Sequence, residues 1–252
     1  MYDINGGMQN QETFNVGAID VWGTDDDPRL WMDLHQTQIR LWSERQTQYG
    51  AFVGYLEMDA WATNNGIRLR YAWFDFKFIR MGQDFTTFGD KLVWPNIMDW
   101  DGPPSGIWRR QPQIKLHFET DKRWEFEVAG EISEDKITFI PSIDSNIRSS
   151  YNNLPDLTAA VKKSYGDINY FRLSGIYRLL DFKDGDTRKS TPGYGLALPG
   201  MIRTHPTKQN LIQFQAAGGR GISTYLGSFG SLNYDAVNTA PGTVDDVSVF
   251  GA

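Results

Sequence analysis

Residues 109–119, RRQPQIKLHFE, alternate in kind with a period of two. Arg109, Gln111, Gln113, Lys115 and His117 share one parity; Arg110, Pro112, Ile114, Leu116 and Phe118 share the other. The pattern recurs along the chain. Ile39 and Leu41 oppose Gln38 and Arg40; Leu56, Met58 and Ala60 oppose Glu57 and Asp59. Ile67, Leu69, Tyr71 and Trp73 oppose Arg68 and Arg70; Trp124, Phe126 and Val128 oppose Glu125 and Glu127. Phe171, Leu173, Tyr177 and Leu179 oppose Arg172 and Arg178; Ile212 and Phe214 oppose Gln213 and Gln215. Period two is the signature of a strand with unlike faces, and no window repeats at the helical spacing. Ten strands are predicted, over about 37–44, 51–61, 66–74, 78–84, 107–118, 124–132, 157–164, 168–180, 193–204 and 210–218. Many run about 8 to 12 residues, against about 5–6 for an ordinary strand and about 9–11 for one crossing a bilayer at a tilt.

The links sharpen this picture. Those at 75–77, 119–123, 165–167 and 205–209 are short, and those at 85–106, 133–156 and 181–192 are long. From the third strand onward this strict alternation of short and long predicts an all-β, antiparallel up-and-down sheet with turns at one rim and loops at the other, as in a transmembrane β-barrel of porin type. Two readings of the faces stay open. The apolar parity faces lipid and the charged parity a water-filled lumen, or the apolar parity fills a dry core and the charges face solvent.

Composition narrows the classes. A net charge of −6 argues against general nucleic-acid binding, so no nucleic-acid partner is expected. The chain has no cysteine, which excludes disulfides and thiolate chemistry. It has no apolar run long enough for a transmembrane helix. A mean hydropathy of −0.46 is compatible with a membrane barrel, whose strands show lipid only every second residue. The N-terminal residues MYDINGGMQNQ lack the basic and apolar regions of a signal peptide. Residues 1–28 read as a polar, disordered segment, and 29–252 as the barrel segment.

Arg40, Arg68, Arg70, Arg80 and Arg109 form either a basic ladder that attracts anions or solvated charge paired with Glu57 and Asp59. Arg172, Lys115, Gln111 and Gln113 join the same parity, and Glu125 and Glu127 would oppose them across a lumen. Glu125 with Glu127, or Asp99 with Asp101, could serve as a glycosidase pair, but a polar face and a loop turn explain them more simply. His35, His117 and His205 show no metal spacing. The GGRGIS stretch lacks the lysine of a phosphate loop. Trp22, Trp31, Trp42, Trp61, Trp73, Trp108 and Trp124 are candidates for an interfacial girdle, for core packing or for sugar stacking. The loop 85–106, with Trp94, Asp99, Trp100 and Asp101, is long enough to be functional and would narrow a lumen if folded inward.

The segment 81–118, MGQDFTTFGDKLVWPNIMDWDGPPSGIWRRQPQIKLHF, resembles the corresponding region of the DcaP-like outer-membrane porins, through Gly82, Gln83, Thr87, Phe88, Pro95, Asp99, Asp101, Gly102, Pro103 and the RQPQI block at 110–114. Weaker similarity extends over residues 37–226. The resemblance implies a homotrimeric porin of about sixteen strands in the bacterial outer membrane, in contact with its lipid. It also implies passive uptake of small anionic solutes, such as aromatic carboxylates, through an Arg-lined constriction, with no cofactor and no catalysis. The family pattern continues beyond VSVFGA, so this chain is expected to carry an incomplete barrel. The rival is a soluble carbohydrate-binding or glycan-hydrolysing β-protein.

Overall fold

Segments whose two faces differ in polarity pair side by side, because the ladder satisfies the backbone while each face meets its own medium. The computed structural model describes residues 2–3, 29–30, 35, 37–62, 66–95, 102–103, 105–150, 154–205, 210–227, 229 and 232–252. Eleven strands follow one another in a meander: β1 (Gln38–Thr47), β2 (Gly50–Ala62), β3 (Gly66–Phe76), β4 (Ile79–Phe85), β5 (Arg110–Glu119), β6 (Trp124–Glu131), β7 (Asp156–Tyr165), β8 (Asn169–Asp184), β9 (Thr187–Arg203), β10 (Leu211–Arg220) and β11 (Ser248–Gly251). Every ladder along this path is antiparallel and joins consecutive strands. All ten predicted strands are present, and β11 is an addition. The N-terminal segment 1–28 lies outside the described residues, apart from Tyr2–Asp3, which pairs with Arg29–Leu30.

The rims differ as predicted, with one correction. Residues 181–192 are not a long loop. β8 and β9 continue to a tight turn at Gly185–Asp186, pairing Phe182 with Lys189 and Asp184 with Thr187. The polar run KDGDTRKS reads as a loop, yet Leu180 and Phe182 are buried against Ile137, Ile147, Ala236 and Val244. Those partners lie on Ile147–Ser149, which pairs with β8, and on a three-stranded sheet of Ile137–Thr138, Ala236–Ala240 and Thr243–Asp246. A small apolar core on the loop rim therefore holds the strand extensions in place.

Burial is inverted relative to a soluble protein. Ile114, Phe126 and Phe171 are 53%, 43% and 44% exposed, whereas Gln111, Gln113 and Lys115 are 3%, 4% and 7% exposed. An outward apolar belt this extensive has no place in water. Toward the turn rim it is aromatic: Phe52 stacks on Phe74, Phe78 on Phe118, Trp124 on Phe126, and Phe171 meets Phe214. Such an aromatic band matches the girdle expected of a membrane barrel and is built mainly from Phe; of the candidate tryptophans Trp124 belongs to it, and Trp22 and Trp31 lie outside the described residues.

Parity changes once within β3. A bulge pairs Glu57 with Tyr71 and Met58 with Leu69, so one extra residue intrudes at Arg70. Beyond it Tyr71 and Trp73 share the inner face with Glu57 and Arg80, where simple alternation placed them with Ile67 and Leu69. Trp42, opposite Tyr55, also faces inward.

The sheet curls strongly. Lys91 stacks over Tyr71 of β3 at 4.7 Å, while the carbonyl of its neighbour Leu92 accepts a hydrogen bond from Gln213 of β10 at 3.0 Å. Seven inter-strand spacings separate those strands, about 34 Å along the sheet. Two adjacent residues reach both only because the sheet wraps around them.

Candidate functional site inside the curled sheet

The segment after β4 turns inward because the inner wall supplies partners for its backbone. Gln113 donates to the Phe85 carbonyl at 2.9 Å, Ser174 to Phe88 at 2.6 Å and Arg172 to Thr87 at 2.7 Å and to Gly89. The Thr87 amide donates to Glu131 at 2.7 Å. Asp90 caps the short turn Lys91–Val93 by accepting from the Leu92 amide at 2.9 Å. Phe88 then packs with Ile107, Ile176, Ile222, Tyr225 and Leu226 in an apolar cluster within the curl. Trp94 packs against Trp108, with ring centres 4.7 Å apart and planes tilted by 41°. Gly102 has a φ of +71° and lies so close to Trp94 that a Cβ there would fall 2.2 Å from the ring, which explains the glycine. Asp99, Trp100 and Asp101, the other expected constriction residues, lie outside the described residues.

Below this segment, toward the turn rim, is a cavity of about 210 Å³ lined by Arg80, Asp84, Lys115, Glu127 and Arg172 from the wall and Lys91 from the inserted segment. Glu125 and Lys162 line it too. Opposite charges interlock across it. Arg80 pairs with Asp75 at 2.7 Å and Asp84 at 2.9 Å; Arg172 pairs with Glu127; Lys162 pairs with Glu125 at 2.9 Å. Lys115 sits between Asp84 at 3.7 Å and Glu127 at 3.9 Å. The surrounding protein pushes the Lys91 ammonium below the ordinary lysine value, and Asp84 acts against that shift.

The remaining predicted residues fall in two places. Arg40 pairs with Glu57 at 3.0 Å, Arg68 with Asp59 at 2.7 Å, and Arg70 with both Glu57 at 2.6 Å and Asp59 at 2.8 Å. The structure thus brings the ladder arginines together, but beside the carboxylates of the neighbouring strand. Arg109 stands apart from them, its charge acting on Glu134 in the loop after β6. Gln111 and Gln113 are sealed beneath the inserted segments. Gln111 donates to Glu131 and, at 2.8 Å, to Tyr225, so both glutamines position loops.

One centre was not singled out from sequence. Arg178 is fully buried and pairs with Asp135 at 3.0 Å, Asp156 at 3.2 Å and Asp235 at 3.0 Å. Tyr225 donates to the same Asp156 at 2.7 Å, and burial pushes its hydroxyl well above the usual tyrosine value. The polar parity of Arg178 was legible; its partners, drawn from three distant segments, were not. Among the described residues no three His, Asp or Glu are arranged to hold a metal ion.

No family model and no curated protein matches the chain. Its architecture does match a solved structure. The crystal structure of the outer membrane channel DcaP of Acinetobacter baumannii shares this fold with a TM-score of 0.71, over 89% of this chain, at 20% identity. The fold is that of a porin-type β-barrel. The chain spans 62% of the length of the DcaP chain. The likeness is one of fold, and the antiparallel meander follows from this chain's own residues.

Proposed function

We propose that this chain forms part of the wall of an outer-membrane channel through which small anionic solutes diffuse. The observation that carries the reading is the inversion of faces: an exposed apolar belt with an aromatic girdle surrounds a charged interior. In hydrocarbon every backbone polar group must be paired within the protein, which a continuous ladder of strands provides along its length. The inserted segment 86–95 narrows the bore, and Arg40, Arg68, Arg70, Arg80, Arg109, Lys115 and Arg172 supply positive charge along it, with Glu125 and Glu127 as counter-charges. Solutes move by diffusion, without catalysis. The DcaP structure is titled an outer membrane channel, which supports the same localisation and transport class here. By the family resemblance the solutes include aromatic carboxylates and the assembly is a homotrimer.

The test is reconstitution of the full-length protein. Detergent dependence, heat-modifiable migration on gels and stepwise conductance in planar bilayers are expected. A monodisperse protein in plain buffer with no conductance would overturn the reading in favour of a soluble glycan-binding protein.

A further inference from the structure

The outer wall of β8 and β9 changes chemistry step by step toward the loop rim. Residues directly opposed in a ladder share a face, so each rung can be followed from the register. On the lipid-facing parity Gly175 lies beside Leu196, and Leu196 beside Gly218. Phe250 of β11 pairs with Gly218 and lies across it, so close that a Cβ there would sit 2.5 Å from the ring. The bare glycines leave an outward groove of about 750 Å³, lined also by Val128, Leu157 and Phe250. One rung higher Tyr177 faces Tyr194, both half exposed. Leu179 and Pro192 follow and end the apolar column. Two rungs further the register sets Arg148 beside Lys183 and Lys183 beside Arg188. Three cations thus stand in one row across three adjacent strands, about 5 Å from one to the next. Arg148 meets the exposed Asp186 at 3.8 Å and the Gly185 carbonyl at 3.1 Å, and Arg188 donates to Ser150 at 2.9 Å. Among the described residues Lys183 pairs with no carboxylate. Asp181, one rung below it on the same parity, is buried. Like charges directly opposed destabilise a sheet unless a counter-charge joins them.

We propose that this outer face binds a phosphorylated glycolipid of the outer leaflet, with an acyl chain in the groove over Gly175 and phosphate groups on the row Arg148, Lys183 and Arg188. The inference rests on the membrane reading of the apolar belt and adds to it a site outside the lumen. The dimensions agree. At about 3.3 Å per residue, Lys183 stands about 13 Å along the strand above Leu179 and about 26 Å above Gly175. At the usual strand tilt of about 40° the row lies about 10 Å beyond the edge of the hydrocarbon, at the height of headgroups, and the long stems of Lys and Arg reach back toward it. Long loops of such barrels are extracellular, which puts the row in the outer leaflet. A phospholipid offers one phosphate to three aligned cations, whereas a glycolipid carrying several phosphates matches them in charge. The cations favour a lipid over a second copy of the chain, because apolar contact alone would fill the groove and leave the row uncompensated.

The probe is diphosphorylated lipid A, titrated into the full-length protein in detergent and followed by native mass spectrometry. Saturable binding is expected. Arg148→Gln, Lys183→Gln and Arg188→Gln should each weaken it about fivefold, and the triple variant more than about 20-fold. Gly175→Phe, which fills the groove from its floor, should remove most of it. Lipid A stripped of phosphate and phosphatidylglycerol should both bind more weakly, and inorganic phosphate should not compete. Heat-modifiable gel migration checks the folding of each variant, and conductance in planar bilayers should be unchanged because all four positions face outward. Lipid A binding that survives the triple substitution, or is matched by the stripped lipid or by phosphatidylglycerol, overturns the proposal. Competition by inorganic phosphate does so as well, by making the row a site for free anions. If Gly175→Phe separates an oligomer and leaves lipid A binding intact, the groove is an interface between copies and the proposal fails. A protein that conducts without binding lipid A loses the lipid site and keeps the channel reading; one that binds lipid A through the row without conducting does the reverse.

Discussion

Arg178 shows how much one side chain can hold together. Its guanidinium is fully buried and ties Asp156 of β7 to Asp135 and Asp235 of two separate loops. Breaking a buried charge network by removing one partner leaves the others uncompensated and costs about 3–5 kcal/mol. Arg178→Met is therefore expected to lower the temperature of the heat-modifiable gel shift, with Arg178→Lys intermediate; an unchanged transition would show that the three carboxylates find other partners. Asp144 makes a weaker, pH-dependent contribution. Its carboxylate accepts from the Asn146 and Gly242 amides, each at 2.8 Å, and these hold it below the usual aspartate range. A carboxyl depressed on folding stabilises the folded form above its unfolded pKa and loses that contribution as pH falls through the folded value. The hairpin 240–243 should accordingly become more open to protease as pH drops below about 4, and Asp144→Asn should remove that dependence.

Within the elements, the two parities should tolerate opposite substitutions. A cation on the lipid side of a barrel strand costs about 2–4 kcal/mol at mid-bilayer. Ile114→Arg should thus sharply reduce folding into lipid vesicles, whereas Gln213→Arg, exposed on the inner face of β10, should be nearly neutral. Equal folding yields would refute the assignment of faces. The inserted segment offers another handle. Trp94 is clamped between Trp108 and Gly102, and Trp94→Ala should loosen the segment and raise single-channel current noise. Sequence alternation was sufficient for the ten strands because each carries its own period. It failed where a feature depended on a partner. The bulge at Arg70 is one residue in an otherwise regular strand, and only the register against Glu57 and Met58 reveals that Tyr71 and Trp73 change sides. The stretch 181–192 looked like a loop because its apolar contacts, Ile147 and Val244, lie far away in the chain.

At the scale of the whole molecule, alternation alone could not say which face was wet. Both the lipid and the dry-core readings use identical parities, and the decision came from burial, where Lys115 is hidden and Ile114 bare. The candidate site was legible in part: the long loop after β4 and the run of arginines were visible, but not the pairing of those arginines with Glu57 and Asp59. One trait of the meander reaches beyond this chain. Because the ladders of the meander join each strand to its predecessor and successor in the chain, two strands can be inserted or removed together without reversing the direction or the facing of any that remain. Such a wall can widen or shrink by duplicating a hairpin, so bore width is free to evolve through copying of short stretches of coding sequence, with no re-threading of the rest.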